Sequence, residues 1–308
     1  MLLTNKIITE TALNLGFNLV GFSGAELLED DVIHLQNWLK KGYHADMYYM
    51  ERNIEKRKNV KEILPSAETV ISLALVYNTP DTHSGNNKYG KISRYAWGKD
   101  YHIIIWEKLD KFVEEIKKID PLFEAKTYVD TGPVMDKVWA VRSGLGWMGK
   151  NTNIINREKG SWFFIATVIC NYKFDYSLPV QDMCGSCSAC IDACPTGALV
   201  DGYMLDSNKC ISYQTIENKS GIPESLKGKF AGWIYGCDIC QEVCPWNKKF
   251  AVLTHESLFY PLNGNKEILI TDAVKMEQEE FSVRFKDSPV KRTKLKGIKR
   301  NAEFLLNP

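Results

Sequence analysis

Nine cysteines lie in this chain of 308 residues, and eight of them fall between Cys184 and Cys244. The first run, Cys184, Cys187, Cys190 and Cys194 followed by Pro195, reads C-x2-C-x2-C-x3-C-P. Three thiolates so close together wrap one 4Fe-4S cubane, while the fourth is carried away toward a second cluster. Cys237, Cys240 and Cys244 before Pro245 repeat the last three positions, and Cys210 is the one cysteine left in this region to complete a second set. Exchange of the fourth ligands assigns Cys184, Cys187, Cys190 and Cys244 to one cluster and Cys210, Cys237, Cys240 and Cys194 to the other. Two zinc sites are the alternative, because C-x2-C pairs also bind zinc, although zinc sites rarely use such a run. Cys170 stands outside both runs and reads as a small buried hydrophobe.

Two linked clusters form a wire, and a wire needs a reaction at its end. The first 170 residues lack cysteine before Cys170 and are long enough to be a full domain. Helical and extended patterns alternate there, as in an α/β domain. Thr4 is a candidate N-cap for a helix carrying Ile7, Ile8, Ala12 and Leu15, ended by Gly16. Leu19 to Phe22 reads as a strand, and Asp31 to Lys41 as a helix with Ile33, Leu35 and Leu39 on its apolar side, closed by Gly42. The apolar run Thr69 to Tyr77 suits a strand buried on both faces. Asp100 to Ile119 has helical spacing at Ile105, Leu109, Phe112, Val113 and Ile116. Lys126 to Val129 is the next strand and delivers Asp130 to its end.

Ligands in open α/β sheets bind beyond the carboxyl ends of strands, so Asp130 is a candidate site residue; the alternative is that it caps the helix that runs through Val141. Gly144, Gly146 and Gly149 permit close backbone approach, but they follow a helix and so make a poor dinucleotide signature. Thr152 to Asn156 and Ser161 to Asn171 read as a β-hairpin. Composition adds exclusions: 44% hydrophobic residues and 39 Lys plus Arg against 38 Asp plus Glu rule out disorder and bulk polyion behaviour. The N-terminus lacks a charged n-region before an apolar run, and no apolar stretch approaches the ~20 residues of a membrane helix. A soluble, cytoplasmic protein with no membrane partner is expected.

Several stretches together resemble the epoxyqueuosine reductase family, cobalamin-dependent iron-sulfur enzymes of tRNA queuosine synthesis. They are Ile92-Ser93-Arg94-Tyr95-Ala96 with Asp100-Tyr101-His102, VDTGPVMDK from Val129, GLGWMGKNT from Gly144, the cysteine run from Cys184, CISYQTIE from Cys210 and GCDICQEVCPWN from Gly236. The resemblance implies an α+β chain: an N-terminal α/β cobalamin- and substrate-binding domain over 1–175, a ferredoxin-like module with two 4Fe-4S clusters over 176–250, and a C-terminal segment with a basic tail over 251–308. Many members continue into a helical-repeat tail, and this chain, which stops at Pro308, resembles the shorter ones.

The implied reaction removes an epoxide oxygen from epoxyqueuosine to leave the alkene of queuosine. It takes two electrons and protons, supplied through the clusters to base-off cobalamin, with the protein providing position and a proton. Asp130 matches the family's proposed general acid, and a carboxyl enclosed by corrin and substrate can stay protonated near neutral pH. Candidate cobalamin contacts are Arg57, Tyr95, Asp130, Lys150, Asn151, Thr152, Ser212 and Asp238; each has an ordinary packing or surface role as its alternative. The five histidines are not expected to ligate cobalt: Asp100-Tyr101-His102 lacks the Gly of a D-x-H-x-x-G signature, and His102 reads as a helix start.

The implied partners are tRNA carrying epoxyqueuosine in its anticodon loop and a low-potential electron donor. Arg284 to Arg300 holds eight basic residues against Asp287, a candidate phosphate surface or else a solvated helix face. Tyr213 and Trp246 are candidate base-stacking aromatics. A cobalamin-dependent reductive dehalogenase and a plain ferredoxin-like carrier are the competing readings. The VDTGP and CISYQTIE stretches favour the reductase, and a mere carrier leaves the N-terminal domain idle.

Overall fold

The computed structural model describes residues 3–307, and its largest sheet is organised by a strand buried along its whole length. In β2 (Thr69–Val76), Ile71, Leu73 and Leu75 join the core on one face, while Val70, Ala74 and Val76 pack on the other. Its neighbours are β1 (Leu19–Gly24) and β7 (Phe163–Cys170), and β4 (Ala125–Tyr128) completes the order β1-β2-β7-β4. The alternation of helices and strands is present, yet all three pairings are antiparallel. Both faces are nonetheless covered, which explains why β2 reads as a continuous apolar run.

Helices α1 (Asn5–Asn14) and α4 (Tyr101–Ile119) cover one face. Thr4 caps α1 by accepting the Ile7 N–H at 3.3 Å, and Asp100 caps α4 by accepting the His102 N–H at 3.0 Å. Ile105, Leu109, Phe112 and Ile116 of α4 are fully buried at the spacing expected of one helical stripe. On the other face, α5 (Asp136–Arg142) buries Trp139 and Ala140. Nearer the edge, α2 (Glu29–Lys40) buries Val32 and Leu35, with α3 (Ile54–Lys58) beside it. Ile33, expected on the apolar side, is 52% exposed because Val32 takes the inward position.

The hairpin expected after Thr152 is replaced by a divergent turn. Asn156 and Gly160 exchange backbone hydrogen bonds, but then β6 (Ile154–Ile155) pairs with β5 (Trp147–Met148), whereas the following chain becomes β7 between β2 and β4. Eight residues, apolar at all positions but Thr167, bury more surface in the middle of the main sheet than beside a two-residue strand.

The cysteine-bearing stretch holds α6 (Ala189–Asp192), the small ladder β8 (Leu199–Asp201) and β9 (Met204–Leu205), α7 (Ile211–Ile216), β10 (Trp233–Tyr235), α8 (Ile239–Glu242) and α9 (Pro245–Phe250). Packing of α6 against α8 sets the two cysteine runs side by side. The chain ends with β11 (Glu267–Leu269), α10 (Ile270–Lys275), α11 (Gln278–Arg284) and α12 (Lys294–Leu306).

A second sheet, β10-β3-β11, has β3 (Tyr89–Ile92) at its centre. It takes one strand from each of the three segments delimited at residues 175 and 250. Ile92, Trp97, Tyr235, Ile268 and Ile298 share its core, so the segments are joined through packed side chains. Asn301 of α12 is fully buried and donates to Thr215 O and Ile234 O, each at 2.9 Å. Thr215 O is also reached by Thr293 Oγ1, but Ile234 O depends on Asn301. Asn301→Ala is therefore expected to cost about 2 kcal/mol, the typical penalty of an orphaned buried carbonyl, read as a lower urea midpoint. An unchanged midpoint would mean that α12 does not anchor the cysteine-bearing stretch.

Candidate active site

Of the eight candidate cluster ligands, four line each of two cavities. Cys184, Cys187, Cys190 and Cys244 line a cavity of about 390 Å³. Cys194, Cys210, Cys237 and Cys240 line the wall of a far larger one, about 2320 Å³. The fourth thiol of each run thus faces the other run's set, the division expected from an exchange of fourth ligands. Burial holds the thiols of Cys210, Cys237 and Cys240 above the free value. At Cys194 burial opposes ionisation too, but the amide N–H groups of Leu199, Ala198 and Thr196 and the Thr196 hydroxyl outweigh it and bring the thiol below. A buried thiol set of this kind fits a cationic iron-sulfur core, which deprotonates its ligands on binding. Cys170 is wholly enclosed in β7, its thiol pushed up to about 12 by burial.

The larger cavity exceeds the roughly 300–1,000 Å³ of a drug-sized site, so it accommodates a macrocycle together with a substrate. Asp130 stands in its wall just beyond β4. Its backbone is left-handed, with φ 57°, inside a three-residue turn closed by Thr131 N–H donating to Val129 O at 2.6 Å. The helix-cap reading fails on geometry: α5 begins at Asp136, its cap position is Met135, and no side chain caps it. Instead Asp130 Oδ2 accepts from Tyr101 Oη at 2.8 Å, with His102 Nε2 3.8 Å away and the carboxyl 64% exposed into the cavity.

Arg57, Tyr95, Asn151, Thr152 and Ser212 line the same cavity. Arg57 is buried and donates to Arg52 O and Tyr49 O. Tyr95 donates to Tyr235 Oη, which passes a hydrogen bond to Pro289 O. Asn151 also borders the smaller cavity and donates to Cys240 O at 3.2 Å. Two candidates lie elsewhere. Lys150 borders the smaller cavity only, with Nζ bound to Gly185 O and Cys187 O at 2.6 and 3.0 Å. Asp238 is buried behind the wall, accepting from Ser93 Oγ and from the Arg94 N–H, and burial raises its carboxyl to about 6. Both of its oxygens are thereby turned to the loop after β3, and it does not line the cavity.

The glycine run is used internally as well: a Cβ on Gly146 would lie 2.1 Å from Ile155 O, and Gly144 has φ 71° against Leu178 O. Of the aromatics, Tyr213 lines the large cavity, while Trp246 stacks on Phe250 and meets Trp147 edge-on at the smaller one.

Sequence reasoning missed Asp136 and Lys137, although both lie in the VDTGPVMDK stretch. Asp136 accepts from Thr167 Oγ1 at 2.5 Å, and burial raises its carboxyl to about 7. Lys137 lines the large cavity within electrostatic reach of Asp130 and of the thiols of Cys240 and Cys210, and its Nζ donates to Thr152 O at 2.8 Å. The signal available was the charged pair itself at the start of a helix that otherwise packs on a sheet. In the basic tail, Arg300 is consumed internally, donating to Gln214 O, Asn218 O and Ser220 O, while Lys299 pairs with Glu277 and Arg284 donates to Gly264 O and Glu267 O. Lys291 and Arg292 reach the cavity edge, Arg292 paired with Glu217, and Lys286, Lys294 and Lys296 are exposed. No helix among the described residues is long and apolar enough to cross a membrane.

Residues 183–247 match the family described as a 4Fe-4S double cluster binding domain, and residues 57–131 match that described as epoxyqueuosine reductase QueG, DUF1730. The chain is 46% identical over 301 residues to the epoxyqueuosine reductase of Leadbetterella byssophila, covering 98% of each. It is 42% identical over 306 residues to that of Atelocyanobacterium thalassa, covering 98% of this chain and 99% of the relative. It superposes with TM-score 0.91 and 34% identity on a crystal structure of epoxyqueuosine reductase with an epoxyqueuosine-modified tRNA-Tyr stem loop, covering 98% of this chain and 80% of that one.

The cysteine division predicts that Cys170→Ser, reconstituted anaerobically, keeps its full complement of about eight iron atoms, two cubanes' worth. Loss of about half the iron in that variant would bring Cys170 into a ligand set.

Proposed function

The chain belongs to the epoxyqueuosine reductase family, and from that premise we propose that it reduces the epoxide of epoxyqueuosine in a tRNA anticodon loop to the alkene of queuosine. The observation that carries this reading is one cavity, of a size for macrocycle and nucleobase together, whose wall holds both Asp130 and four cluster-type thiols. Bound there, cobalamin supplies a cobalt centre able to attack an epoxide carbon, fed with single electrons from the two 4Fe-4S clusters. Arg57, Tyr95, Asn151, Thr152 and Ser212 line that cavity and are the side chains proposed to hold the corrin.

The chain's own part is to orient, exclude water and move protons. Asp130, on a strained turn and without a capping duty, is the proposed general acid to the epoxide oxygen. Tyr101 fixes one of its oxygens and leaves the other open to substrate. Burial, and next the Asp130 charge, raise the Tyr101 phenol well above its ordinary range, so it serves as a standing hydrogen-bond donor. Lys286, Lys291, Lys294 and Lys296 are proposed to meet tRNA phosphates beside the cavity, with Tyr213 as the aromatic available to a splayed base.

Two outcomes are expected. With reconstituted enzyme, cobalamin, a low-potential reductant and epoxyqueuosine-containing tRNA under anaerobic conditions, Asp130→Asn should bind cobalamin and keep its iron but lose about 100- to 10,000-fold in turnover. Wild-type turnover in that variant would place the acid elsewhere. Replacing Lys286, Lys291, Lys294 and Lys296 together by Ala should weaken tRNA binding and flatten its salt dependence, because each lost phosphate contact removes about one released counterion. An unchanged salt slope would make this segment a solvated surface.

A further inference from the structure

Turning an epoxide into an alkene breaks both C–O bonds at one oxygen, which leaves as water. Two electrons enter, here from the clusters, and two protons end on that oxygen. A single carboxyl brings one proton, so Asp130 must be recharged within the turnover or a second donor must reach the same atom.

Among the described residues around Asp130, His102 has the arrangement for this. His102 lies in the first turn of α4 with its ring stacked on Tyr101, centroids 4.0 Å apart, and its side chain 15% exposed. Its Nδ1 is 2.7 Å from Asp100 Oδ1, a pairing that fixes the ring and puts a proton on Nδ1. Its Nε2 is buried without a hydrogen-bond partner among the described residues, and it points toward Asp130 Oδ2 at 3.8 Å. Asp100 is itself held, since it is the cap of α4 and its N–H donates to Asp287 O at 2.6 Å. A small rotation of the exposed Asp130 carboxyl closes the remaining gap.

We propose that His102 recharges Asp130 between two proton transfers to the substrate oxygen, which makes it a positioning and relay residue and Asp100 its anchor. This rests on the reading of Asp130 as the acid. Asp130 gives its proton as the first C–O bond breaks, leaving a carboxylate opposite the imidazolium. The Nε2 proton crosses to that carboxylate, and Asp130 gives it up in turn as the hydroxyl departs as water. Neutral His102 then regains a proton from solvent.

The other titratable neighbours are poorer sources. Tyr101 touches the same carboxyl but holds its proton for the reason given above, and Asp136, whose carboxyl burial raises to about 7, is turned to the Thr167 hydroxyl. Lys137 on α5 is turned to Thr152 O, and Arg292 on the remaining wall is paired with Glu217.

The test compares His102→Gln, Asp100→Asn and Asp130→Asn in reconstituted holoenzyme with epoxyqueuosine-containing tRNA. His102→Gln should lose about 100-fold in kcat, the lower end of general acid catalysis, with KM for tRNA unchanged, and added imidazole should restore part of the rate. Asp100→Asn keeps a capping side chain but removes the carboxylate that fixes the His102 ring, so kcat should fall several-fold with KM for tRNA unchanged. His102→Gln turning over at the wild-type rate, raising KM alone or ignoring imidazole would overturn the relay, as would a wild-type kcat in Asp100→Asn. If those results accompany an inactive Asp130→Asn, only the relay fails. An active Asp130→Asn would instead overturn the acid assignment beneath it.

Discussion

The exchange of the fourth thiol between two cysteine runs is the constraint on which the rest of the structure depends. Cys244 closes the small cavity with the first run, and Cys194 joins Cys210, Cys237 and Cys240 on the large one. That division requires α6 and α8 to lie against each other, and it presents one thiol set to the N-terminal domain. The hydrogen bonds across this junction fit the same demand. Asn247, two residues past Pro245, binds Ser161 through its N–H and hydroxyl, and Gln241 donates to the same serine. Asn151 reaches Cys240 O from the N-terminal side. These are buried polar contacts with fixed geometry, suited to holding an electron path to a catalytic wall without slack.

The wall itself separates two duties. Main-sheet packing is complete without Asp130, whose turn projects past β4 and whose carboxyl supports no helix. Asp136 and Lys137, a few residues further on, stand at the start of α5, the first accepting from the Thr167 hydroxyl and the second donating to Thr152 O. Charge is thereby concentrated around the point where a proton must be delivered, while the apolar faces of α4 and α5 hold the frame.

Legibility from sequence followed the range of the interaction. The division of the eight thiols into two sets was readable because close spacing in the chain keeps each run's first thiols together and carries the last one away. β2, α1 and α4 were readable because apolar period and cap residues act locally. The β10-β3-β11 sheet was not, for it joins strands of three or four residues separated by well over a hundred positions, and no local pattern announces that pairing. The same holds for the split hairpin, where β7 abandons its sequence neighbour for a better-buried place. Within the site, Lys150 and Asp238 sit in the right motifs, but their side chains bind the backbone of the cysteine loop and of the Ser93 turn. A motif fixes which segment approaches the site, whereas the direction of a side chain is set by which backbone donors and acceptors lie nearest. In the basic tail Arg284 and Arg300 are used in the same way, Arg300 above all.

The claim that the thiol set on the large cavity is the one that feeds the reaction is tested most directly by Cys194→Ala. Anaerobic reconstitution followed by electron paramagnetic resonance should find the small-cavity cluster intact and the other lost, with about half the iron. Cobalamin, added to this variant with a low-potential donor, should bind yet stay unreduced on the timescale on which the wild type reduces it. Reduction at the wild-type rate, or loss of the small-cavity cluster instead, would contradict the exchange of fourth ligands and the electron path drawn from it.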